Sequence, residues 1–396
     1  MSIKLSDRTL AYAEELTDAV LGLDALYREE SGDEVGLAVL NLSPEPRTPE
    51  SFSDYEDVVE AFSTLRDRAG DLPERDRRTY YQQFCDSMCA FAEWRQDGLP
   101  LSEQIERFLH VPADPPSTAE LNELRAELSS VLDRLGYEGD AQSQCRAWKD
   151  ATTVPAAEAP EVLESEMDRM RDLTLAGLDT APENVDQIGA AGVSGASFNA
   201  KCDFANGEVV INTDPQLTRP WLRKLAVHEG YPGHVLQFSL RRQWYEDSRA
   251  PADGLLSVVN CASSTTFEGI ADSGLALLDT QPEADHAASL VGRYQMGIAT
   301  AAAWRYHAED WPEQDVHEWL SEQAIYGDEE WVKSRVGFLT APERATLMWS
   351  YWHGEPAVTS AIESVDPSAF DTFVEFLYGR THSTESITQF DPNGST

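Results

Sequence analysis

Residues 226–237 read Ala-Val-His-Glu-Gly-Tyr-Pro-Gly-His-Val-Leu-Gln, or AVHEGYPGHVLQ. The segment opens as a zinc-peptidase helix does, with His228-Glu229 behind an apolar lead-in, and then carries Pro232 where the second histidine of an HExxH motif would stand. In HExxH the histidines are four apart, about 400° of helix rotation, so both rings face one ion and the glutamate reaches the water beside it. His228 and His234 are six apart. On a regular helix that spacing is about 600° and points the rings to different faces.

Pro232 resolves the conflict. It has no N–H, its ring collides with the carbonyl of the residue four earlier, His228, and Gly233 beside it tolerates unusual backbone angles. We therefore expect a helix that starts near Trp221 and is broken or widened over residues 231–233, which brings His234 back beside His228.

Downstream, SSTTFEGIADSG (residues 263–274) places Glu268 thirty-four residues after His234. Two histidines and a carboxylate leave the fourth tetrahedral position of Zn²⁺ for water. Asp272, one turn beyond Glu268, is spaced to accept a hydrogen bond from a ligand histidine. Upstream, GAAGVSGASFNAKCDFANGEVVINTD (189–214) is rich in glycine and asparagine, and its run Val209-Val210-Ile211 reads as one or two strands. Asn212 and this glycine-rich approach are candidates for contacts to an extended peptide, as an edge strand makes beside a cleft; a purely structural strand is the alternative.

The rest of the chain is helical in pattern. SDRTLAYAEELTDAVLGLDALYREE, YYQQFCDSMCAFAEWRQ and VLESEMDRMRDLTLAGL carry apolar residues at three-to-four spacing, separated by proline-rich breaks such as VPADPPSTAELNEL, where Ser117 or Thr118 starts a helix. We divide the 396 residues into an N-terminal helical region, 1–185, and a catalytic region, 186–396, packed as one unit.

Seventy acidic against 30 basic residues give a formal net charge of -40. The acids are spread along the chain, a pattern suited to a halophilic setting where salt screens self-repulsion. Basic clusters for phosphate are absent, which excludes nucleic acid and an anionic membrane as partners. No apolar run is long enough to span a bilayer and the N-terminus lacks signal-peptide order, so a cytoplasmic location is expected. The five cysteines, at 85, 89, 145, 202 and 261, have no paired spacing and read as reduced thiols, with Cys85 and Cys89 sharing a buried helix face.

VINTDP, HEGYPGHVLQ, FEG and Tyr294-Gln295-Met296-Gly297, in that order, resemble a large bacterial family of proteins of unknown function related to the gluzincin metallopeptidases. Its hallmark is HE-x-x-PGHH-x-Q, preceded by a strand ending in asparagine and followed by EGWA and Y-x-x-G elements. The resemblance covers roughly residues 190–300 and extends to the remainder through its helical character. It implies His228, His234 and Glu268 as metal ligands, Glu229 as general base and Tyr294 as a transition-state or substrate contact. Three places depart from the pattern: Val235 replaces the second histidine of the pair, EGIA with Ile270 replaces EGWA, and no PGQ precedes Tyr294.

In MWSYWHGEPAV (348–358), His353 is a further catalytic candidate and Tyr351 a substrate contact, because a late Tyr or His polarises the scissile carbonyl in related helical peptidases. Packed core aromatics explain Trp349, Tyr351 and Trp352 equally well. His110, His286, His307, His317 and His382 stand in acidic stretches and are expected in solvent.

The expectation is a mainly α, helical zincin-like metallopeptidase with a small β element at the active-site rim. It holds one Zn²⁺ per chain and hydrolyses short peptides, Glu229 passing a proton from the metal-bound water to the leaving amine. The alternative is a non-catalytic helical scaffold that binds a peptide or other ligand.

Overall fold

Side chains just ahead of several helices fix where they begin. Ser6, Asp54, Ser117, Asp140 and Thr218 each accept a hydrogen bond from a backbone N–H in the first turn, and at Ser117 the side chain of Glu120 completes a capping box. The computed structural model describes residues 4–32, 35–181, 185–196, 198–204, 206–280 and 282–392.

The chain runs through α1 (Asp7–Ser31), β1 (Ala38–Asn41), α2 (Tyr55–Ala69), α3 (Arg75–Asp97), the short α4 (Leu101–Gln104), α5 (Thr118–Arg134), α6 (Ala141–Thr152) and α7 (Ala159–Gly177). Strands β2 (Gly189–Val193), β3 (Ala200–Asp203) and β4 (Glu208–Asn212) follow. Next come α8 (Arg219–Leu225), α9 (His234–Glu246), β5 (Leu256–Val258), α10 (Ser264–Asp272) and α11 (Gly274–Leu277). The last helices are α12 (Glu283–His307), α13 (Glu313–Gln323), α14 (Glu329–Leu339), α15 (Leu347–Glu363) and α16 (Phe370–Gly379). The fold is mainly helical with small sheets.

The expected β element is a sheet in the order β2-β4-β3, with β2 parallel and β3 antiparallel to β4. A separate antiparallel pair joins β1 to β5, Ala38 opposite Val258 and Asn41 opposite Leu256. The apolar core has two clusters, and both cross the 185/186 boundary. One unites Tyr12 and Phe84 with Leu256, Ile298 and Trp349; the other unites Leu163 and Met167 with Leu236 and Phe376. Cys85 and Cys89 are buried thiols within the first. Among the described residues no helix is long and apolar enough to cross a membrane.

Two local features position the cleft. Where α10 crosses α15, a Cβ on Gly269 would lie 2.3 Å from the carbonyl oxygen of Gly354, and one on Gly354 would lie 2.5 Å from that of Thr265. Only glycines allow this backbone contact, which brings the helix of Glu268 against the helix of Tyr351. Pro356, inside α15, has no N–H for the carbonyl of Trp352 four residues back. The Arg293 guanidinium of α12 donates to that carbonyl instead.

His382, expected in solvent, is 1% exposed. Its Nε2 lies 2.9 Å from the carbonyl of Phe376, inside a clasp that ties the C-terminal segment to α3. There Asp76 accepts from Arg77 at 2.8 Å and from Arg380 at 3.1 Å, and Arg77 also donates to the carbonyl of Thr381 at 2.7 Å. His110 and His307 are half-buried, each with Nε2 within hydrogen-bond distance of a backbone carbonyl. An acidic sequence neighbourhood is therefore a poor guide to exposure in this chain.

Candidate metal centre

Beyond Leu225 the helix widens. The N–H of Tyr231 donates to the carbonyl of Ala226, five residues back, and that of Gly233 to the carbonyl of Val227, six back, both at 3.0 Å. Residues 231–233 form a turn with a cis Tyr231–Pro232 peptide, and α9 begins at His234. A Cβ on Gly233 would sit 1.9 Å from the carbonyl oxygen of His228, so no larger residue fits the turn. The carbonyl of Pro232 accepts from the buried hydroxyl of Tyr378 at 2.6 Å, which anchors the break to α16.

The six-residue spacing thus spans the end of one helix and the start of the next. The rings of His228 and His234 stand 4.7 Å apart, centroid to centroid, at 79°. Glu268 of α10 faces both: its Oε2 is 3.3 Å from Nε2 of His228 and 3.7 Å from Nε2 of His234. One potential ligand atom from each of the three lies within 4.8 Å of the others. Phe267 stacks on His234 at 4.3 Å and 13°, which sets its ring plane.

Asp272 fixes the other ring. Its Oδ1 is 3.1 Å from Nδ1 of His228 and 3.4 Å from Nζ of Lys224. A proton on Nδ1 is donated to Asp272, which turns Nε2 toward Glu268. Burial opposes charge on His228, but Asp272 and then Glu268 outweigh it and raise its pKa well above the ordinary value. Burial likewise opposes charge on Glu268, yet His228 and His234 hold its carboxyl down at about 2. Burial, reinforced by Asp272, raises the Glu355 pKa against the pull of Lys224 and Arg293.

The residues fit a cation on two counts. Oε2 of Glu268 is buried and, despite its two imidazole neighbours, makes no hydrogen bond among the described residues, an arrangement that is costly unless some partner satisfies the oxygen. Two imidazole nitrogens and one carboxylate oxygen are also a zinc donor set with one position left open.

A cleft with a cavity volume of about 220 Å³ runs past His228 and Asp272. Trp221, Met296 and Trp331 give it apolar walls, and Lys224, Arg293 and Arg335 give it cations. Tyr351 also lines it. The charge of Glu268, then burial, then the charge of Glu229 push the Tyr351 pKa well above its ordinary value, so the phenol keeps its proton. Glu229, half-buried in the widened turn, precedes the break by two residues. Asn212 lines the cleft at the end of β4, but its side chain serves the adjoining turn: Nδ2 donates to the carbonyl of Ala196, and Oδ1 accepts from the N–H of Asp214, both at 3.1 Å.

Two expected catalytic residues stand apart from the triad. Tyr294 is 2% exposed and its hydroxyl donates to the carbonyl of Gln323 at 2.9 Å, so it packs in the core while Gln295 and Met296 reach the cleft. His353 is two residues from Tyr351 and is not in the cleft wall; burial and the nearby charge of Arg293 lower its pKa. Lys224, Arg293, Arg335 and Glu355 were not anticipated from the sequence. Lys224, one turn before His228, carried a readable signal; the others come from distant helices.

No protein-family model and no curated protein matches the chain. Among solved structures its fold is similar to that of the "putative lipoprotein" from Colwellia psychrerythraea, with a TM-score of 0.56 at 12% identity over 84% of this chain. It is also similar to a "putative lipoprotein of unknown function" from Shewanella oneidensis, with a TM-score of 0.51 at 11% identity, covering 85% of this chain and 71% of that one. The present chain spans 65% of the Colwellia protein's length, and at these identities the likeness is one of fold alone.

Proposed function

We propose that the protein is a zinc-dependent hydrolase of the zincin type that cleaves short peptides in the cytoplasm, with one zinc per chain and with kinship to the gluzincin-related family its motif resembles. The observation that carries this reading is the convergence of His228, His234 and Glu268 around a buried carboxylate oxygen that forms no hydrogen bond. Zinc, when bound, supplies Lewis acidity that lowers the pKa of water to about 7.

The chain's own residues do the rest. Asp272 holds His228 in the tautomer that presents Nε2, and Lys224 offsets the charge of Asp272. Glu229 accepts the water's proton and delivers it to the leaving amine. Tyr351 donates a hydrogen bond to the scissile carbonyl oxygen as negative charge develops there. The peptide lies in the cleft with the end of β4 at its rim.

The test is hydrolysis of blocked di- and tripeptides in molar salt, before and after chelation, by the wild type and by Glu229→Gln. Chelation should abolish turnover. Glu229→Gln should keep its zinc while turnover falls by on the order of 10² or more. Loss of zinc in that variant would mean that Glu229 is a ligand and not the base. Peptide binding without turnover in the zinc-loaded wild type would replace this reading with the non-catalytic scaffold.

A further inference from the structure

The cleft departs from the charge character of the molecule. Acids outnumber bases 70 to 30 over the chain, yet the cleft wall holds Lys149, Lys224, Arg293 and Arg335. Three of these have partners in place. Lys149 pairs with Asp328 at 3.2 Å, Lys224 pairs with Asp272 at 3.4 Å, and Arg293 donates to the carbonyl of Trp352 while its guanidinium lies 3.8 Å above that residue's ring.

Arg335 differs. Among the described residues no carboxylate lies within ion-pair distance of it and no side-chain hydrogen bond commits its guanidinium; its neighbours are the rings of Trp331 and Phe338, each 5.8 Å away. Aromatic surfaces order a guanidinium without neutralising it, which leaves its fork of donors for an anion. Arg335 lines the same cleft as Tyr351 and His228, which places this cation relative to the chemistry. The anion that Arg335 awaits therefore belongs to whatever reaches the triad.

We propose that Arg335 is a specificity-determining residue that receives a carboxylate of the peptide substrate, holding it in the cleft beside Tyr351 and the His228–His234–Glu268 triad. Substrate as the source of the carboxylate rests on the peptidase reading above; the anion site itself rests on Arg335 alone. The carboxylate comes either from the peptide's C-terminus, which would make the enzyme one that trims from that end, or from an acidic side chain. The Trp331 and Met296 walls suit an apolar residue beside the anion. A guanidinium–carboxylate pair in a partly desolvated cleft discriminates against a neutral isostere by about tenfold or more.

Calorimetric titration of chelator-treated protein in molar salt tests this without the metal. The probes are N-acetyl-phenylalanine, its amide, and N-acetyl-glutamic acid α-amide, whose only carboxylate is on the side chain. If the C-terminal carboxylate is the ligand, the free acid binds about tenfold or more tighter than both amides, and Arg335→Met removes the preference. If an acidic side chain is the source, the glutamyl probe takes the free acid's place and shows the same loss. Arg335→Lys, which keeps the charge and loses the fork, should retain part of the preference and so controls for misfolding. Equal binding of all three probes, or a preference that survives Arg335→Met, would overturn the proposal. Zinc content and hydrolysis, measured on the same preparations, keep the two readings separable. A preference without zinc leaves the anion site standing and the peptidase reading broken, whereas zinc and hydrolysis without a preference do the reverse.

Discussion

His228, half-buried in the cleft wall, and His382, fully buried, each sit in a cluster of charged groups, but the signs of their neighbours are opposed. His228 faces the carboxylates of Asp272 and Glu268, which overcome burial and raise its pKa. His382 lies beside Arg77 and Arg380, so burial and then Arg77 push its pKa well below the ordinary value. In the clasp, the Asp76 carboxylate accepts from two guanidinium groups, so the protein supplies its donors, while Nη1 of Arg77 finds no hydrogen-bond partner among the described residues. In the triad, an oxygen of Glu268 is left with no hydrogen bond. A buried carboxylate that the protein supplies with donors holds the fold together, while one with an oxygen still lacking a donor is where a cation is expected.

Substitutions can break this contrast. The largest effect should come from Glu268→Ala, which removes the carboxylate both imidazoles share; stoichiometric zinc and peptide hydrolysis should be lost together while helix content by circular dichroism is kept. Unchanged zinc in this variant would show that the triad is a structural cluster like the clasp. Next is Asp76→Asn, which leaves Arg77 and Arg380 uncompensated and should destabilise the fold by about 3–5 kcal/mol in chemical denaturation, with zinc still bound by the folded fraction.

The sign of the pH effect follows from the same residue. Burial tends to raise the pKa of Asp76, but Arg77 and Arg380 hold it below its ordinary value. Its contribution is therefore complete above the unfolded pKa of about 3.9 and is lost as pH falls from there toward the folded value. Denaturation curves of the wild type should show this acid loss, and Asp76→Asn should lack that component. The smallest effect should be that of Asp272→Asn, which weakens zinc by about 10–100-fold, read by competition with a chelating dye. An unchanged affinity would mean that Asp272 does not orient His228.

These contrasts also explain what the sequence could reveal. Local signals were legible: of Ser117 and Thr118, the former caps α5, and the helix expected to start near Trp221 begins at Arg219. Pro232 and Gly233 announced the break that lets histidines six apart converge, because both act on the backbone within one turn. Glu268 was found through its motif and Asp272 through its one-turn spacing.

What depended on distant partners was hidden. The pairing of β1 with β5 and the Gly269–Gly354 crossing join segments with no local reason to meet. Tyr294 carries a motif-like Y-x-x-G, but the carbonyl of Gln323, from another helix, takes its hydroxyl into the core. Arg335 has an unremarkable sequence context, and what sets it apart is that no described carboxylate opposes it where Lys149 and Lys224 each have one.

Zinc K-edge X-ray absorption on protein purified in molar salt, together with elemental analysis of the same sample, tests the central claim most directly. The account predicts one zinc per chain with two imidazoles and a carboxylate oxygen at about 2.0–2.2 Å. The absence of stoichiometric zinc, or a shell containing thiolate sulfur at about 2.3 Å, would contradict it.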